Sequence, residues 1–268
     1  MRQILALAAL AAVGTAGSAA AQDVTITFEN LQAGGGFFFT PVWVGVHDGS
    51  FDSYDGGTLA SMWPGLTELA EEGATGPISA QFNSVTGGVG VDGTIVGSTG
   101  HPTLAPGESG SISFNVGDST VNRYFSYASM IIPSNDLFIA NGNPLAHQIF
   151  DASGNFIGPV TIDIYGRDVN DNGTEVNSAT AGAAFSALGG VGIDENNLIR
   201  NFFEGPNLAG DAQYLASFIG TNTATGELIT HAFGPDKLIG RITVVPTPAT
   251  TGLLAMAGLC AARRRRTS

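Results

Sequence analysis

Apolar and polar residues alternate along several short stretches of the chain, and this alternation predicts β-strands. In residues 23–30, Val24, Ile26 and Phe28 alternate with polar or charged residues. A period of two residues is typical of a strand with one buried face. The same pattern recurs in residues 112–116, 158–165 and 238–245.

Two longer apolar stretches are typical of more deeply buried strands. Residues 37–46 contain Pro41, which favours an edge or a bulge because proline cannot donate to a strand ladder. Residues 124–132 are rich in aromatic and β-branched side chains, and Pro-Ser-Asn-Asp follows them. We therefore expect Asp136 at the exposed end of a core strand, where its carboxylate is free to bind a ligand. An ordinary turn residue is the alternative, because Asp is common in turns.

The spacing of residues 66–72 predicts one short helix. Leu66, Leu69 and Ala70 share one face, and Gly73 follows as a C-cap. Residues 76–106 are rich in Gly, Ser and Thr and predict loops between short strands, residues 138–149 look irregular, and residues 211–219 fit either a strand or a helix. Many short strands with Gly-rich connections predict an all-β fold, an antiparallel β-sandwich with one short helix and long loops.

Both ends of the chain have the composition of processing signals. Arg2 precedes an apolar run that ends in three alanines at 19–21, which is typical of a secretory signal peptide cleaved after Ala21. Residues 246–268 contain Pro-Thr-Pro, an apolar run too short for a stable span of about 20 residues, and four consecutive arginines. We predict a signal peptide over 1–21, a domain over 22–245 and a tail over 246–268 that contacts the membrane transiently; a plain tail anchor is the alternative.

Without these ends the chain is strongly acidic. Five of the ten Lys and Arg residues lie in the two ends, whereas all 23 Asp and Glu residues lie between them, which leaves a net charge of −18. Binding to nucleic acid or to an anionic membrane surface requires Lys and Arg, so both are excluded as partners of the domain. Cations are natural partners, although acidity also keeps a protein soluble. The one cysteine, Cys260, lies in the tail, so the domain has no disulfide.

An Asp- and Asn-rich segment predicts a cation site. Asp168, Asn170 and Asn172, followed by glycine, match the first half of the Asp-x-Asn-x-Asn-Gly calcium loop. The Glu that completes an EF-hand is missing, and no flanking helices are evident. Because Ca²⁺ needs six to eight oxygen ligands, the others must come from elsewhere, with Asp136 as the first candidate and Asp151 as the next. A turn without an ion is the alternative.

Other chemistry has little support in the sequence. A Gly-x-Gly-x-x-Gly match at 88–93 lacks the following helix that a dinucleotide site requires. The histidines have no zinc-ligand spacing, and no Gly-x-Ser-x-Gly motif is present. Carboxylates are too numerous to single out a glycosidase pair. We therefore predict a protein that is not an enzyme. Trp43 and Trp63 are candidates for stacking on sugars, with burial in the core as the alternative, especially for Trp43.

Several motifs together resemble a known domain. They are FENL (28–31), PVWVGVHDGSFDSYDGG (41–57), GLTELAEEG (65–73), FSYASMIIPSND (125–136), IFDASGNF (149–156) and DNGTEVN (171–177). Together they resemble the spondin N-terminal domain of F-spondin and mindin, including its bacterial versions. The resemblance implies a C2-like sandwich with a calcium site on the loops at one end. Vertebrate spondin domains carry disulfides, from which this sequence departs.

The resemblance also implies ligands for that site. The Asp of the family's Pro-Ser-x-Asp motif corresponds to Asp136, and the first Asp of its Asp-x-Gly-Thr-Asp/Glu motif corresponds to Asp171. A family Glu on the preceding strand has no clean match; Glu108 is the nearest acidic residue. We therefore predict that Asp136 and Asp171 share one Ca²⁺, with Asp168 as an auxiliary ligand.

The C-terminal tail carries a second resemblance. Its order of Pro-x-Pro, apolar run and Arg cluster is similar to the PEP-CTERM sorting signal of bacteria, although Thr247 stands where that signal has Glu. This similarity implies recognition and removal by an exosortase. We predict a secreted, calcium-binding adhesion or extracellular-matrix module at a bacterial surface, with a matrix, cell-surface or polysaccharide ligand. The alternatives are an extracellular domain that binds or degrades polysaccharide, and a structural biofilm protein without metal.

Overall fold

A computed structural model describes residues 22–247, which form two antiparallel β-sheets and three α-helices. The strands are β1 (Asp23–Asn30), β2 (Phe38–Phe39), β3 (Val42–His47), β4 (Val91–Ile95), β5 (Ser109–Asn115), β6 (Tyr124–Ile132), β7 (Leu137–Ala140), β8 (Val160–Tyr165), β9 (Val169–Asp171), β10 (Arg200–Asn201) and β11 (Leu238–Pro246). The helices are α1 (Leu66–Glu72), α2 (Thr75–Val85) and α3 (Leu208–Ala216). The predicted all-β sandwich is confirmed.

The two sheets differ in size. The smaller sheet has the strand order β5-β1-β11-β8, and the larger has the order β10-β9-β7-β6-β3-β4, with β2 paired to β6. The alternating apolar residues of β1 and β11 point into the space between the sheets, where they pack against β3 and β6. This inter-sheet core explains the period of two in the sequence, because only one face of the smaller sheet is buried there.

A second core lies on the outer face of the larger sheet. Trp43 of β3 and Phe138 of β7 project there and pack against Leu69 of α1 and Phe82 of α2. The helices therefore form a third layer, which covers the sheet on the side away from its partner. This layer explains why every residue of β3 is buried and why Val42 to Val46 contain no polar side chain instead of alternating apolar and polar positions.

Three predictions about elements need correction. Residues 76–106 are not all loops and short strands, because α2 occupies their first part and precedes β4. Residues 138–149 contain most of β7, and the single strand predicted over 37–46 is divided into β2 and β3 around Pro41. Residues 211–219 begin within α3. Strand β11 ends at Pro246, and the Thr247 N–H donates to the carbonyl of Asp23 at 2.8 Å.

The two predicted processing signals lie outside the described residues, apart from the first two residues of the tail. Among residues 22–247, none of the helices has both the length and the apolar character needed to cross a membrane.

Candidate metal centre

The candidate site lies where β6 ends and the chain turns into β7. Residues 133–136 form this turn, so that Asp136 immediately precedes Leu137, the first residue of β7. Leu137 pairs with Asp171, the last residue of β9. Asp136 and Asp171, the two main predicted ligands, are thereby brought together on adjacent strands of the larger sheet.

Asp136 is fully buried, which corrects the prediction of an exposed carboxylate. Its Oδ2 accepts hydrogen bonds from the N–H of Thr174 at 2.8 Å, from the N–H of Glu175 at 3.1 Å and from the Thr174 hydroxyl at 3.3 Å. Its Oδ1 has no hydrogen-bond partner. Burial, followed by the negative charge of Asp171, raises the pKa of Asp136 to about 8.

The loop that covers Asp136 is held in place by hydrogen bonds to a later segment of the chain. Residues 172–177 pair with residues 193–197 through three backbone hydrogen bonds of 2.8 to 2.9 Å. Gly173 has φ +69°, and a Cβ at this position would lie 2.8 Å from the carbonyl oxygen of Asn197. Glycine is therefore required at this turn, and the tight packing explains why the carboxylate beneath it is excluded from water.

Both carboxylate oxygens of Asp171 accept hydrogen bonds. Its Oδ1 accepts the N–H of Gly173 at 3.0 Å, and its Oδ2 accepts from Arg200 at 2.6 Å and from the Asn177 amide at 2.7 Å. Arg200 also forms two hydrogen bonds of 2.8 and 2.9 Å with Asp211 of α3. One guanidinium thus bridges two buried carboxylates, which neutralises part of their charge.

Asp168 lies apart from this pair. It is exposed, and its carboxylate accepts the N–H of Tyr165 at 2.7 Å. Asp151 accepts backbone N–H groups within its own turn, including that of Asn155 at 2.9 Å, and Glu108 accepts N–H groups of the loop between β4 and β5. In the part of the chain that the structure describes, no three His, Cys, Asp or Glu side chains form a group that could hold a metal ion.

Two asparagines of the 172–177 loop also carry unpartnered oxygens; Asn172 belonged to the predicted calcium loop, whereas the sequence predictions did not single out Asn177. Asn172 Oδ1 and Asn177 Oδ1 are buried without a hydrogen-bond partner, as is Asp136 Oδ1. The amide nitrogens of these asparagines are engaged, because Asn172 donates to the Thr174 hydroxyl at 3.0 Å and Asn177 donates to Asp171. Three of the five unpartnered buried side-chain atoms among residues 22–247 therefore belong to one hydrogen-bonded network.

This concentration of unsatisfied acceptors needs a physical explanation. A buried polar group without a partner costs about 1 to 3 kcal/mol, so such groups are rare in folded proteins. All three atoms here are oxygens, one from a carboxylate and two from amides, and these are the hard ligands that Ca²⁺ binds. Protonation of Asp136 supplies one donor, whereas a cation satisfies several oxygens at once. The donor types of these side chains are therefore compatible with a calcium ion.

Further carboxylates surround the network. Glu71 at the end of α1, Glu175 and Asp194 face one another, and burial together with their mutual repulsion raises the pKa of both Glu71 and Glu175. Their combined charge increases the negative potential near Asp136, and the Coulomb repulsion of Glu71 is one of the effects that raises its pKa. Such a potential attracts cations and repels anions.

Neither a protein-family model nor a curated protein sequence matches this chain. The chemistry of the site therefore has to follow from its own side chains.

Proposed function

We propose that this protein is a secreted, non-catalytic module that binds one Ca²⁺ between the β6–β7 turn and the 172–177 loop. The supporting observation is the set of three buried oxygens without hydrogen-bond partners, on Asp136, Asn172 and Asn177. These three side chains would hold the ion, with Asp171 contributing negative charge beside it. This ligand set differs from the one predicted from the sequence, because two amide oxygens take the places of Asp171 and Asp168 as direct ligands.

When bound, calcium would place a positive charge beside the buried Asp136 carboxylate. Asp136 is held by the loop through Thr174 and Glu175, so an ion at its free oxygen ties the turn and the loop together. Extracellular calcium modules bind with dissociation constants on the order of 10⁻⁴ to 10⁻³ M. At a calcium concentration 100 times the dissociation constant, the free energy of unfolding rises by about 2.7 kcal/mol.

A calcium titration followed by thermal melting and calorimetry tests this proposal. We expect the melting temperature to rise with calcium concentration, and calorimetry to show one binding site. Asp136→Asn, Asn172→Ala and Asn177→Ala should each reduce the rise. Asp168→Asn and Asp55→Asn are the controls, because both residues are exposed, and each should retain the full rise. A wild-type melting curve that calcium does not move at millimolar concentration contradicts the proposal.

The same geometry supports a non-catalytic role. Asp136 and Asp171 are 0% and 3% exposed, so neither carboxylate reaches a polymer on the surface. A glycosidase needs two carboxyl groups on either side of an accessible glycosidic bond. We expect no hydrolysis of common polysaccharides. Turnover that is lost when one carboxylate is mutated would contradict this part of the proposal.

The export and surface-adhesion parts of the proposal rest on the sequence alone. The signal over residues 1–21 and the PEP-CTERM-like tail over 246–268 imply secretion and exosortase processing, and the spondin-like motifs imply an adhesion or matrix role. The intact mass of secreted protein tests the processing: it should begin near Gln22 and lack the four arginines. A mass that retains these arginines contradicts the sorting signal.

A further inference from the structure

A cleft in the helical layer has features of a ligand site and shares no lining residue with the calcium-site network. It has a volume of about 230 Å³ and lies between the segment after β3, the turn at residues 62–64 and the side of α2. Its lining includes Phe51, Asp52, Met62, Trp63 and Val85. The calcium loop at residues 172–177 does not contribute to it.

The walls of the cleft are mostly apolar and partly open to solvent. Met62 is 63% exposed and Val85 is 41% exposed, whereas Phe51 is buried beneath them. Trp63 is half-buried, and its indole N–H donates to the Thr58 hydroxyl at 2.7 Å, which holds the ring in place. These side chains form a fixed apolar surface along which an aliphatic chain can pack.

Asp52 provides the charge in this cleft. Its Oδ1 is buried and has no hydrogen-bond partner, and none of the four ion pairs among residues 22–247 includes this residue. Burial and the nearby Asp55 raise its pKa. The side-chain amide of Gln81 also belongs to the lining of the cleft. The site therefore offers a carboxylate that takes part in none of these ion pairs, within mostly apolar walls.

We propose that this cleft binds an aliphatic ammonium group, either a lysine side chain of a partner protein or a free polyamine. The ammonium pairs with the Asp52 carboxylate, its methylene stem packs along Met62 and Trp63, and the Gln81 carbonyl accepts a second N–H. The net charge of −18 over the region between the two processing signals, given by five basic and 23 acidic residues, favours approach of a cationic ligand.

Fluorescence and calorimetric titrations of the full chain test this proposal. The probes are n-butylammonium, putrescine and an acetyl-Gly-Lys-Gly-amide peptide, with n-butanol and methyl glucoside as uncharged comparisons. Trp63 lines the cleft whereas Trp43 is fully buried, so binding should change the emission of Trp63 and the change should be lost in Trp63→Phe. Tighter binding of the peptide identifies a partner's lysine as the ligand, and tighter binding of putrescine identifies a polyamine.

Variants separate the role of Asp52 from general acidity. Asp52→Asn should weaken amine binding at least tenfold, while Asp55→Asn, an exposed neighbour, should change it less than threefold. Gln81→Lys, which places an ammonium group inside the cleft, should compete with the probes. Binding should persist in a calcium chelator, which distinguishes this site from the proposed calcium site. The proposal is overturned if no amine binds at millimolar concentration, if Asp52→Asn binds as tightly as wild type, or if n-butanol or methyl glucoside binds equally well.

Discussion

Asp136 is subject to three effects that oppose its ionisation, namely burial, the charge of Asp171 and the charge of Glu71, and these raise its pKa to about 8. The backbone N–H groups of Thr174 and Glu175 act in the opposite direction but satisfy only one of its oxygens. At neutral pH the metal-free protein therefore favours the protonated carboxyl group. In the proposed calcium site, the ion and the proton would compete for the same carboxylate, which would link metal binding to pH.

The pH dependence of stability provides the first prediction. Between the ordinary pKa of 3.8 and about 8, folded Asp136 holds a proton that the unfolded chain has lost. The free energy of unfolding should therefore fall as pH rises through this window, by at most about 1.4 kcal/mol per pH unit. Asp136→Asn cannot ionise and should show a flatter profile. Melting temperatures from pH 5 to 8.5 in a chelator measure the difference.

Two buried histidines change the free energy of unfolding with pH in the opposite direction, so their effect has to be separated from that of Asp136. Burial lowers the pKa of His47 from 6.5 to about 4 and also lowers the pKa of His147. Keeping these histidines neutral lowers the free energy of unfolding only below pH 6.5, and the loss grows as the pH falls towards their pKa in the folded protein. Because both histidines are present in the variant, they cancel in the comparison with wild type. Parallel profiles for the two proteins would contradict the role of Asp136.

At this scale the sequence predicted which acids meet but not how they are surrounded. Asp136 was identified from the turn that follows a predicted core strand, and Asp171 from the resemblance to the spondin motifs; the pairing of Leu137 with Asp171 brings the two acids together. The burial of Asp136 depends on residues 193–197, which lie far along the chain and carry no local signal for this contact. The role of Asn177 was hidden for the same reason, because only the folded loop leaves its oxygen without a partner.

At the scale of elements, Arg200 connects three parts of the fold. It lies on β10, pairs with Asp171 on β9 and forms two hydrogen bonds with Asp211 on α3. A second link joins the same helix to the metal site, because the Tyr214 hydroxyl donates to Asn135 Oδ1 at 2.8 Å. Helix α3 is therefore linked to the candidate site through polar contacts.

Replacing Arg200 with methionine tests this coupling. The change leaves two buried carboxylates, on Asp171 and Asp211, without their cation, and breaking a buried pair costs about 3 to 5 kcal/mol. Arg200 is itself part-exposed, so we expect the lower end of this range in urea unfolding. Calcium should then stabilise Arg200→Met more than wild type, because Asp171 Oδ2 becomes available as a ligand. An equal or smaller calcium effect in the variant contradicts this coupling.

The helical layer contains one helix that the sequence pattern predicts, α1, and one that it does not, α2. Residues 66–72 were predicted as a helix and form α1 with those bounds, because three apolar residues mark its buried face and Gly73 adopts φ +66° after it. The α2 sequence buries only Ile78 and Phe82, and its Gly, Ser and Thr residues resemble a loop. Packing against Trp43 and Phe51 stabilises this helix, and those contacts are not local.

Phe82→Ala tests whether this layer contributes to the stability of the whole fold. Phe82 is fully buried, and its ring lies 5.3 Å from Trp43 and 5.1 Å from Phe51, measured between ring centroids. Truncating a buried phenylalanine costs about 3 to 5 kcal/mol through lost burial and the cavity left behind. Urea unfolding should show one cooperative transition with this loss. Val85→Ala, at an exposed position of the same helix, should lose less than about 1 kcal/mol.

At the scale of the whole molecule, charge and metal act on stability in different ways. The five basic and 23 acidic residues between the processing signals produce a net charge of −18, which favours expansion of the chain by self-repulsion. Monovalent salt screens this repulsion over a Debye length of about 10 Å at 0.1 M. Screening acts on the whole surface, whereas bound calcium acts at one network of oxygens.

Melting in matched ionic strength should separate the two contributions. Raising NaCl from 10 to 200 mM should increase the melting temperature of both wild type and Asp136→Asn, because screening does not depend on one side chain. Adding saturating CaCl₂ at constant ionic strength should raise only the wild type further, by about 5 to 10 °C for a stabilisation near 2.7 kcal/mol. MgCl₂ should raise it less, since Mg²⁺ demands a tighter octahedral geometry and keeps its waters. Equal shifts with Mg²⁺ and Ca²⁺, or a calcium shift that survives in Asp136→Asn, would mean that divalent ions act on the acidic surface as a whole and not at the buried oxygens of the β6–β7 turn.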